Sequence, residues 1–144
     1  MILLDTDHIS VLQWEGEAAE RLHRLMADST DEWLDITSIT LEEQARAAIS
    51  RLGQSKTTHS QIKYYALLSS LFRFFSYWRV APFDEAAATM FDELRGKKVT
   101  IGSSDLKIAA TALVNDATLL TANTIDFEKV PGLRFENWLT SRIG

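Results

Sequence analysis

The stretch Ile2-Leu3-Leu4-Asp5-Thr6-Asp7 opens the chain with a short apolar run that ends at an acid. Later stretches repeat this pattern: Ile39-Thr40-Leu41-Glu42-Glu43, Ile101-Gly102-Ser103-Ser104-Asp105 and Leu119-Leu120-Thr121-Ala122-Asn123-Thr124-Ile125-Asp126. If the apolar runs are neighbouring parallel strands, the acids converge at the sheet edge where open α/β sheets bind ligands. Carboxylates that close cannot all stay ionised without a cation, and Mg²⁺ and Mn²⁺ prefer oxygen ligands. The pattern therefore predicts metal-assisted hydrolysis, with a phosphodiester as the expected substrate.

The alternation of predicted elements indicates an α/β fold with a parallel sheet. Short apolar runs predict strands over residues 2–4, 33–39, 79–83 and 117–121, with a fifth over 133–135. Apolar residues at helical spacing predict helices over residues 16–27, 41–52, 57–78, 84–94 and 103–114. The expected N-caps are Asp84 and either Ser103 or Ser104, and the expected helix ends are Gly53 and Gly96.

The predicted helix over residues 57–78 is apolar around almost its whole circumference. A helix of this kind is buried on several sides. In a small domain, that favours an interface with another subunit or with a partner protein. The alternative is a helix enclosed by other elements of the same monomer.

The composition is that of a soluble globular protein, with 46% apolar and 24% charged residues in 144. We expect a single domain over residues 1–144. The absence of cysteine excludes disulfides, thiol nucleophiles and cysteine-ligated zinc, and it is compatible with a reducing cytosol. The chain has neither an apolar stretch of membrane-spanning length nor a basic leader, so a cytoplasmic protein without a membrane partner is expected.

Other site chemistries are not supported by the sequence. The net charge of −5 argues against a passive nucleic-acid binder, although the acids of a metal site would account for most of it. His8, His23 and His59 lack the spacing of a zinc site. Glycine-rich phosphate loops and serine-nucleophile elbows are also missing.

Each candidate acid has a structural alternative. Asp5 could cap a helix that starts near His8, as Thr6 or Asp7 could equally. Glu43 fits a capping box that begins at Thr40, and periodicity does not distinguish it from Glu42. Any acid at the position of Asp105 would gain from the helix dipole, and Asn123 and Asp126 are ordinary turn residues.

Taken together, the four stretches resemble the PIN-domain ribonucleases, and specifically the VapC-type toxins of toxin–antitoxin pairs. The quoted motifs stand in the family's order, with Leu106-Lys107-Ile108-Ala109-Ala110 extending the third one. The stretches Val130-Pro131-Gly132-Leu133 and Glu136-Asn137-Trp138 are similar to the family's usual ending. The resemblance spans the whole chain.

The resemblance implies which residues form the site. Asp5 is the first acid, Glu43 rather than Glu42 the second, and Asp105 the third. The fourth position falls on Asn123 or Asp126, because many relatives place an aspartate where this chain has Asn123. The sequence also departs from the family at Asp7, where asparagine is common; Asp7 could be an additional ligand or a further cap.

The same resemblance implies fold, activity and partners. We expect a PIN-like α/β/α sandwich around a central, mainly parallel sheet of four to five strands. We also expect Mg²⁺- or Mn²⁺-dependent endonucleolytic cleavage of RNA, a homodimer, and a small antitoxin that covers the site with a peptide segment. The substrate would be single-stranded or looped RNA, as in a tRNA or another structured RNA.

The expected mechanism assigns a role to each residue. Asp5 and Asp105 hold the metal, Glu43 ligates it or orients its water, and Asn123 or Asp126 completes the outer shell. Candidate phosphate contacts are Arg95, Lys97, Lys98 and Lys107. The main rival is a non-catalytic PIN-like module with a degenerate site that binds RNA or a protein; a DNA flap nuclease or exonuclease ranks lower.

Overall fold

The computed structural model describes residues 1–30 and 33–140, so residues 31–32 and 141–144 of the predicted domain lie outside it. Five strands form one parallel sheet, which confirms the predicted fold class. The strands are β1 (Ile2–Leu4), β2 (Leu34–Thr37), β3 (Val80–Ala81), β4 (Thr118–Leu120) and β5 (Arg134–Glu136). The helices are α1 (Thr6–Leu12), α2 (Glu17–Asp28), α3 (Ser38–Gln54), α4 (Thr58–Phe75), α5 (Glu85–Gly96), α6 (Ser103–Val114) and α7 (Thr124–Phe127).

The strand order β3-β2-β1-β4-β5 creates the crevice in which a ligand site is expected. The chain starts in the central strand β1 and adds β2 and β3 on one side. It then crosses over and adds β4 and β5 on the other side. In open α/β sheets, ligands bind outside the carboxyl ends of the strands at such a reversal. Here the reversal lies between β1 and β4.

Two layers of helices cover the sheet, one on each face. One core cluster includes Leu3 with side chains of α5, α6 and α7. The other includes Ile2 and Leu4 with side chains of α1, α2, α3 and α4. The strand β1 is apolar on both faces because both faces are covered, as parallel sheets require.

Several predicted helix ends and caps differ from the structure. Gly53 lies within α3, which continues to Gln54, whereas α5 ends at Gly96 as predicted. The residue with positive φ after α5 is Lys98, at 60°. Neither Ser103 nor Ser104 caps α6, because Gly102 occupies the N-cap position. Asp84, in contrast, is confirmed as the N-cap of α5, where its side chain accepts a hydrogen bond from the N–H of Ala87 at 3.0 Å.

The apolar helix α4 is only partly covered. Among its large side chains, Leu71 and Phe75 are buried, whereas Ile62, Tyr65 and Phe72 are exposed. Phe72 exposes 82% of its surface. The alternative of a helix enclosed within the monomer is therefore wrong. In the part of the chain that the structure describes, no helix is long and apolar enough to cross a membrane.

Candidate active site

Asp5 lies directly after the central strand β1 and exposes only 6% of its surface. Its Oδ1 accepts a hydrogen bond from the backbone N–H of Thr6 at 2.7 Å, which makes Asp5 the N-cap of α1. Its Oδ2 accepts a hydrogen bond from the hydroxyl of Thr121 at 2.8 Å. Since Thr121 follows β4, Asp5 serves both roles that the sequence offered: it caps α1 and faces the crevice between β1 and β4.

Asp7 joins α1 to the loop after β4. Its Oδ2 accepts a hydrogen bond from the backbone N–H of Ala122 at 2.7 Å. Its Oδ1 accepts two hydrogen bonds from His8, one from the backbone N–H and one from ring Nδ1, each at 2.6 Å. The alternative of Asp7 as a helix cap is therefore wrong. Asp7 instead fixes the first turn of α1 against the loop that carries Asn123.

The helix α3 carries Glu43 to the first turn of α1. Its N-cap is Thr37, whose hydroxyl accepts a hydrogen bond from the N–H of Thr40 at 3.0 Å. The capping box predicted from Thr40 to Glu43 is therefore wrong, because α3 starts earlier than that box requires. Glu43 instead accepts a 3.2 Å hydrogen bond from the hydroxyl of Thr6. Thr6 directly follows Asp5, so the second acid lies beside the first.

Asp105 and Asp126 approach each other through the side chain of Asn123. The Nδ2 of Asn123 donates to Oδ2 of Asp105 at 3.2 Å and to Oδ2 of Asp126 at 3.0 Å. The NH₂ end of the amide faces the acids because its carbonyl oxygen would be repelled by carboxylates. Asp126 also pairs with Lys129 at 3.1 Å. Both candidates for the fourth position thus lie beside Asp105.

Burial, with a smaller contribution from neighbouring like charges, raises the pKa values of the acids closest to the crevice. Burial raises the pKa of Asp5 to about 7, and the charge of Asp7 adds to the rise. Burial also raises the pKa of Glu43, with a further contribution from Asp105, and it raises the pKa of Asp105, to which the charge of Asp126 adds. These carboxylates are therefore the groups that a cation would stabilise most.

The pKa values of two other acids, Asp7 and Asp126, shift in the opposite direction. Burial alone would raise the pKa of Asp7, but the hydrogen bonds from His8 and Ala122 outweigh it, and the pKa of Asp7 is lowered. Hydrogen bonds from Asn123 and Lys129 lower the pKa of Asp126. Both carboxylates stay ionised near neutral pH and keep the site negative.

The donors around the crevice suit a hard cation. Carboxylate oxygens are the ligands that Mg²⁺ and Mn²⁺ prefer. Within residues 1–30 and 33–140, no group of three or more His, Asp or Glu side chains is placed to hold a metal ion together. Mg²⁺ commonly uses one or two carboxylates and keeps several waters. The described acids fit an ion held in that way, and the assignment of Asp5, Asp105 and Glu43 as ligands stays a prediction.

Among the predicted phosphate contacts, Arg95 lies on α5 and Lys107 on α6, while Lys97 and Lys98 directly follow α5. The residues that line a polar groove of about 520 Å³ between these helices include Arg95 and Asp126. The guanidinium of Arg95 lies 5.3 Å from the ring centre of Phe91. Lys97 and Lys98 are exposed. Among the predicted phosphate contacts, Arg95 therefore lines a groove together with one acid of the site, Asp126, and its role remains a prediction.

The sequence analysis did not identify Thr121 and His8 as residues that support the site. Thr121 connects Asp5 to the loop after β4, and its place directly behind the last apolar residue of that strand was the available signal. His8 is fully buried and accepts a hydrogen bond at Nε2 from the backbone N–H of Trp138 at 3.2 Å. Local sequence carries no signal for a contact between residues so far apart in the chain.

Comparison with known proteins gives consistent results. A family model described as PIN domain matches residues 2–133. Ribonuclease VapC2 of Rickettsia felis is 46% identical over 46 residues, which are 32% of this chain and 34% of that protein. The chain thus spans about a third of the length of the curated relatives it matches.

Solved structures match over almost the full length. VapBC-1 from nontypeable Haemophilus influenzae has a TM-score of 0.75 at 22% identity, covering 97% of this chain and 100% of that one. VapBC2 from Rickettsia felis, bound to a DNA fragment from its promoter, has a TM-score of 0.69 at 26% identity, covering 96% and 99%. The five-stranded sheet and its two helical layers are the PIN-like α/β/α fold of these structures.

Proposed function

Because this chain belongs to the PIN-domain family, we propose that it is a Mg²⁺- or Mn²⁺-dependent endoribonuclease that acts as the toxin of a toxin–antitoxin pair. The observation that carries the proposal is the convergence of Asp5, Glu43, Asp105 and Asp126 on the strand reversal between β1 and β4. Relatives named as VapC ribonucleases and VapBC complexes support the activity and the partner.

Each residue of the site has a proposed role. Asp5 and Asp105 hold the ion, because burial and neighbouring charge make their ionised forms costly without one. Glu43 ligates the ion or orients a water. Asn123 holds Asp105 in place, and Asp126 accepts from the same amide nitrogen of Asn123. A bound Mg²⁺ or Mn²⁺ would supply the positive charge that stabilises the transition state of phosphodiester hydrolysis and would lower the pKa of the attacking water.

The choice between the neighbouring glutamates is testable with a matched pair of variants. We expect Glu43→Gln to lower kcat on the order of 10²-fold, because the amide keeps the size of the side chain but loses its charge. Glu42→Gln is the control, since Glu42 is exposed and pairs with Arg46. Cleavage rates of the two purified variants decide the assignment. A loss of activity in Glu42→Gln alone would reverse it.

The protein partners are proposed to bind at the exposed side of α4. A groove of about 760 Å³ between α3 and α4 is lined by apolar side chains, among them Leu41, Leu68, Phe72 and Phe75. Exposed apolar surface of this kind is typical of protein interfaces. A second copy of the chain and an antitoxin segment are the two partners that the family resemblance implies.

Replacing Phe72 by serine is expected to weaken this association by at least about tenfold, since a central aromatic side chain often dominates an interface. The free monomer should keep its stability because Phe72 is already exposed. Sedimentation velocity of the chain alone, and with its antitoxin, identifies which assembly is lost. Trp14→Ser is the control, as Trp14 is also exposed but follows α1. Unchanged association of Phe72→Ser in both experiments would refute the interface.

The proposed activity is tested by incubating total small RNA with the purified chain in Mg²⁺ or Mn²⁺, with EDTA as the negative control. Discrete fragments that require the metal are expected, and sequencing their ends would identify the RNA target. Intact RNA with a folded protein under all metal conditions would contradict the proposal. That result would favour a PIN-like module that binds RNA or protein without cutting.

A further inference from the structure

A continuous line of hydrogen bonds runs from the C-terminal segment to the candidate active site. The backbone N–H of Trp138 donates to Nε2 of His8, and Nδ1 of His8 contacts Oδ1 of Asp7. The other oxygen of Asp7 accepts the N–H of Ala122. The hydroxyl of the preceding Thr121 donates to Asp5. The two ends of this line lie far apart in the sequence but on adjoining parts of the fold.

The contacts of His8 define its tautomer. A backbone N–H can only donate, so Nε2 of His8 must accept the hydrogen bond from Trp138. The carboxylate of Asp7 can only accept, so Nδ1 must carry the proton. The neutral Nδ1–H form satisfies both contacts in a side chain that is fully buried. The ring orientation is therefore fixed from both sides.

The C-terminal segment is itself held firmly enough to orient the ring. The side chains of Trp138 and Leu139 pack against the core cluster on the α1–α4 face. Trp138 Nε1 donates to Glu136 at 2.7 Å, and the N–H of Leu139 donates to Asn137 at 2.9 Å. Arg21 of α2 donates to the carbonyl of Leu139. The N–H of Trp138 thus presents a fixed donor to His8.

We infer that His8 is a positioning residue of the active site. Its Nδ1–H orients Asp7, and Asp7 holds the loop after β4 at the place where Thr121 meets Asp5 and Asn123 meets Asp105. His8 acts through Asp7 and touches no substrate. The inference rests on the proposed function for its effect on cleavage, whereas its effect on the loop does not depend on that function.

Two substitutions separate the two hydrogen bonds of the ring. In His8→Asn the amide Nδ2 stands where Nδ1 stood, so the donor to Asp7 is kept and the acceptor for Trp138 is lost. In His8→Gln the Oε1 stands near the place of Nε2, so the acceptor for Trp138 is kept and the donor to Asp7 is lost. Both variants leave a smaller side chain in the same core site, which makes each the control for the other.

The variants are compared in kcat and KM on an RNA that the wild type cleaves, in Mn²⁺ affinity, and in hydrogen exchange of the Ala122 amide. For His8→Gln we expect kcat per folded molecule to fall about 10- to 100-fold with little change in KM, the usual effect of losing a residue that orients a metal ligand's surroundings. We also expect weaker Mn²⁺ binding and faster exchange at Ala122. His8→Asn should stay close to the wild type in all these quantities, although both variants should be less stable.

Several results would overturn the inference. If the His8→Gln variant folds, keeps the wild-type kcat and protects the Ala122 amide from exchange, His8 has only a packing role in the core. Equal losses in both variants would assign the effect to what they share, the lost volume of the ring, and not to the donor to Asp7. If neither variant folds, ring ¹⁵N shifts of the wild type decide, because the Nε2–H tautomer contradicts the inference and the Nδ1–H tautomer supports it. If the wild type cuts no RNA, the proposed function fails, while exchange at Ala122 and Mn²⁺ affinity still test the positioning role.

Discussion

Asp5→Asn is expected to lower RNA cleavage on the order of 10³-fold while the protein keeps its fold. The substitution removes the charge of the most buried acid of the site, which is the one that a cation stabilises most. The asparagine can still cap α1, because its side-chain oxygen accepts the N–H of Thr6 as Asp5 does. The hydroxyl of Thr121 can rotate to accept from the new amide.

Alanine would be a poorer choice at this position. It would remove the N-cap of α1 at a cost of about 1 kcal/mol, and lost activity could then reflect a displaced helix. Asp84→Asn is the matched control, since it makes the same change at the N-cap of α5, away from the acids. Single-turnover cleavage by both variants in saturating Mg²⁺ gives the comparison. Residual activity of Asp5→Asn within tenfold of the wild type would remove Asp5 from the catalytic site.

The metal-free protein is expected to lose stability as the pH rises from about 4 to above 7. The pKa of Asp5 is raised from 3.8 to about 7 in the fold, so the native state binds more protons than the unfolded state between these values. Stability from this group is therefore full at low pH and declines through that window. The decline amounts to roughly 4 kcal/mol at most, at about 1.4 kcal/mol for each pH unit. The pKa values of Glu43 and Asp105 are also raised, and both groups add to this decline in stability.

Asp7 and Asp126 have lowered pKa values, so their effect on the pH dependence of stability is opposite to that of Asp5. Their contribution is lost as the pH falls below their ordinary range, so the slope between pH 5 and 7 comes from Asp5, with additions from Glu43 and Asp105. Asp5→Asn should flatten that slope and unfold at higher urea concentrations than the wild type at pH 8 in EDTA. Added Mg²⁺ should stabilise the wild type, because it binds the folded ionised site, and should stabilise Asp5→Asn much less. Urea titrations from pH 5 to 8 test both statements, and identical slopes in the two proteins would contradict them.

Local patterns predicted the strands and the acids because these signals are contained in short stretches. The run before Asp5 is apolar throughout, since β1 is covered on both faces. The start of α3 was misjudged because Thr37 and Thr40 are both good N-cap residues. The structure selects Thr37, and Thr40 is buried with its hydroxyl 3.5 Å from the carbonyl of Leu4. Such a choice depends on packing between β1 and α3, which no local pattern contains.

The hydrogen-bond network that supports the acids could not be predicted from the sequence for a related reason. From the sequence, Asp7 could be a further helix cap or a metal ligand. Its contacts with Ala122 and His8 depend on the fold. The contact of His8 with Trp138 depends on the pairing of β5 with β4, because Trp138 follows β5 in the chain. The sequence indicated that acids would converge, and the fold determines which neighbours hold them in place.

The central claim is that these carboxylates hold a divalent ion on which cleavage depends. Calorimetric titration of Mn²⁺ into the wild type and into Asp5→Asn, at pH 6.5 in buffers of different ionisation enthalpy, tests it most directly. We expect the wild type to bind Mn²⁺ and release protons, because Asp5 is partly protonated at that pH and must ionise to ligate the ion. Asp5→Asn should bind at least about tenfold more weakly with less proton release. Equal affinity and equal proton release in the two proteins would contradict the claim.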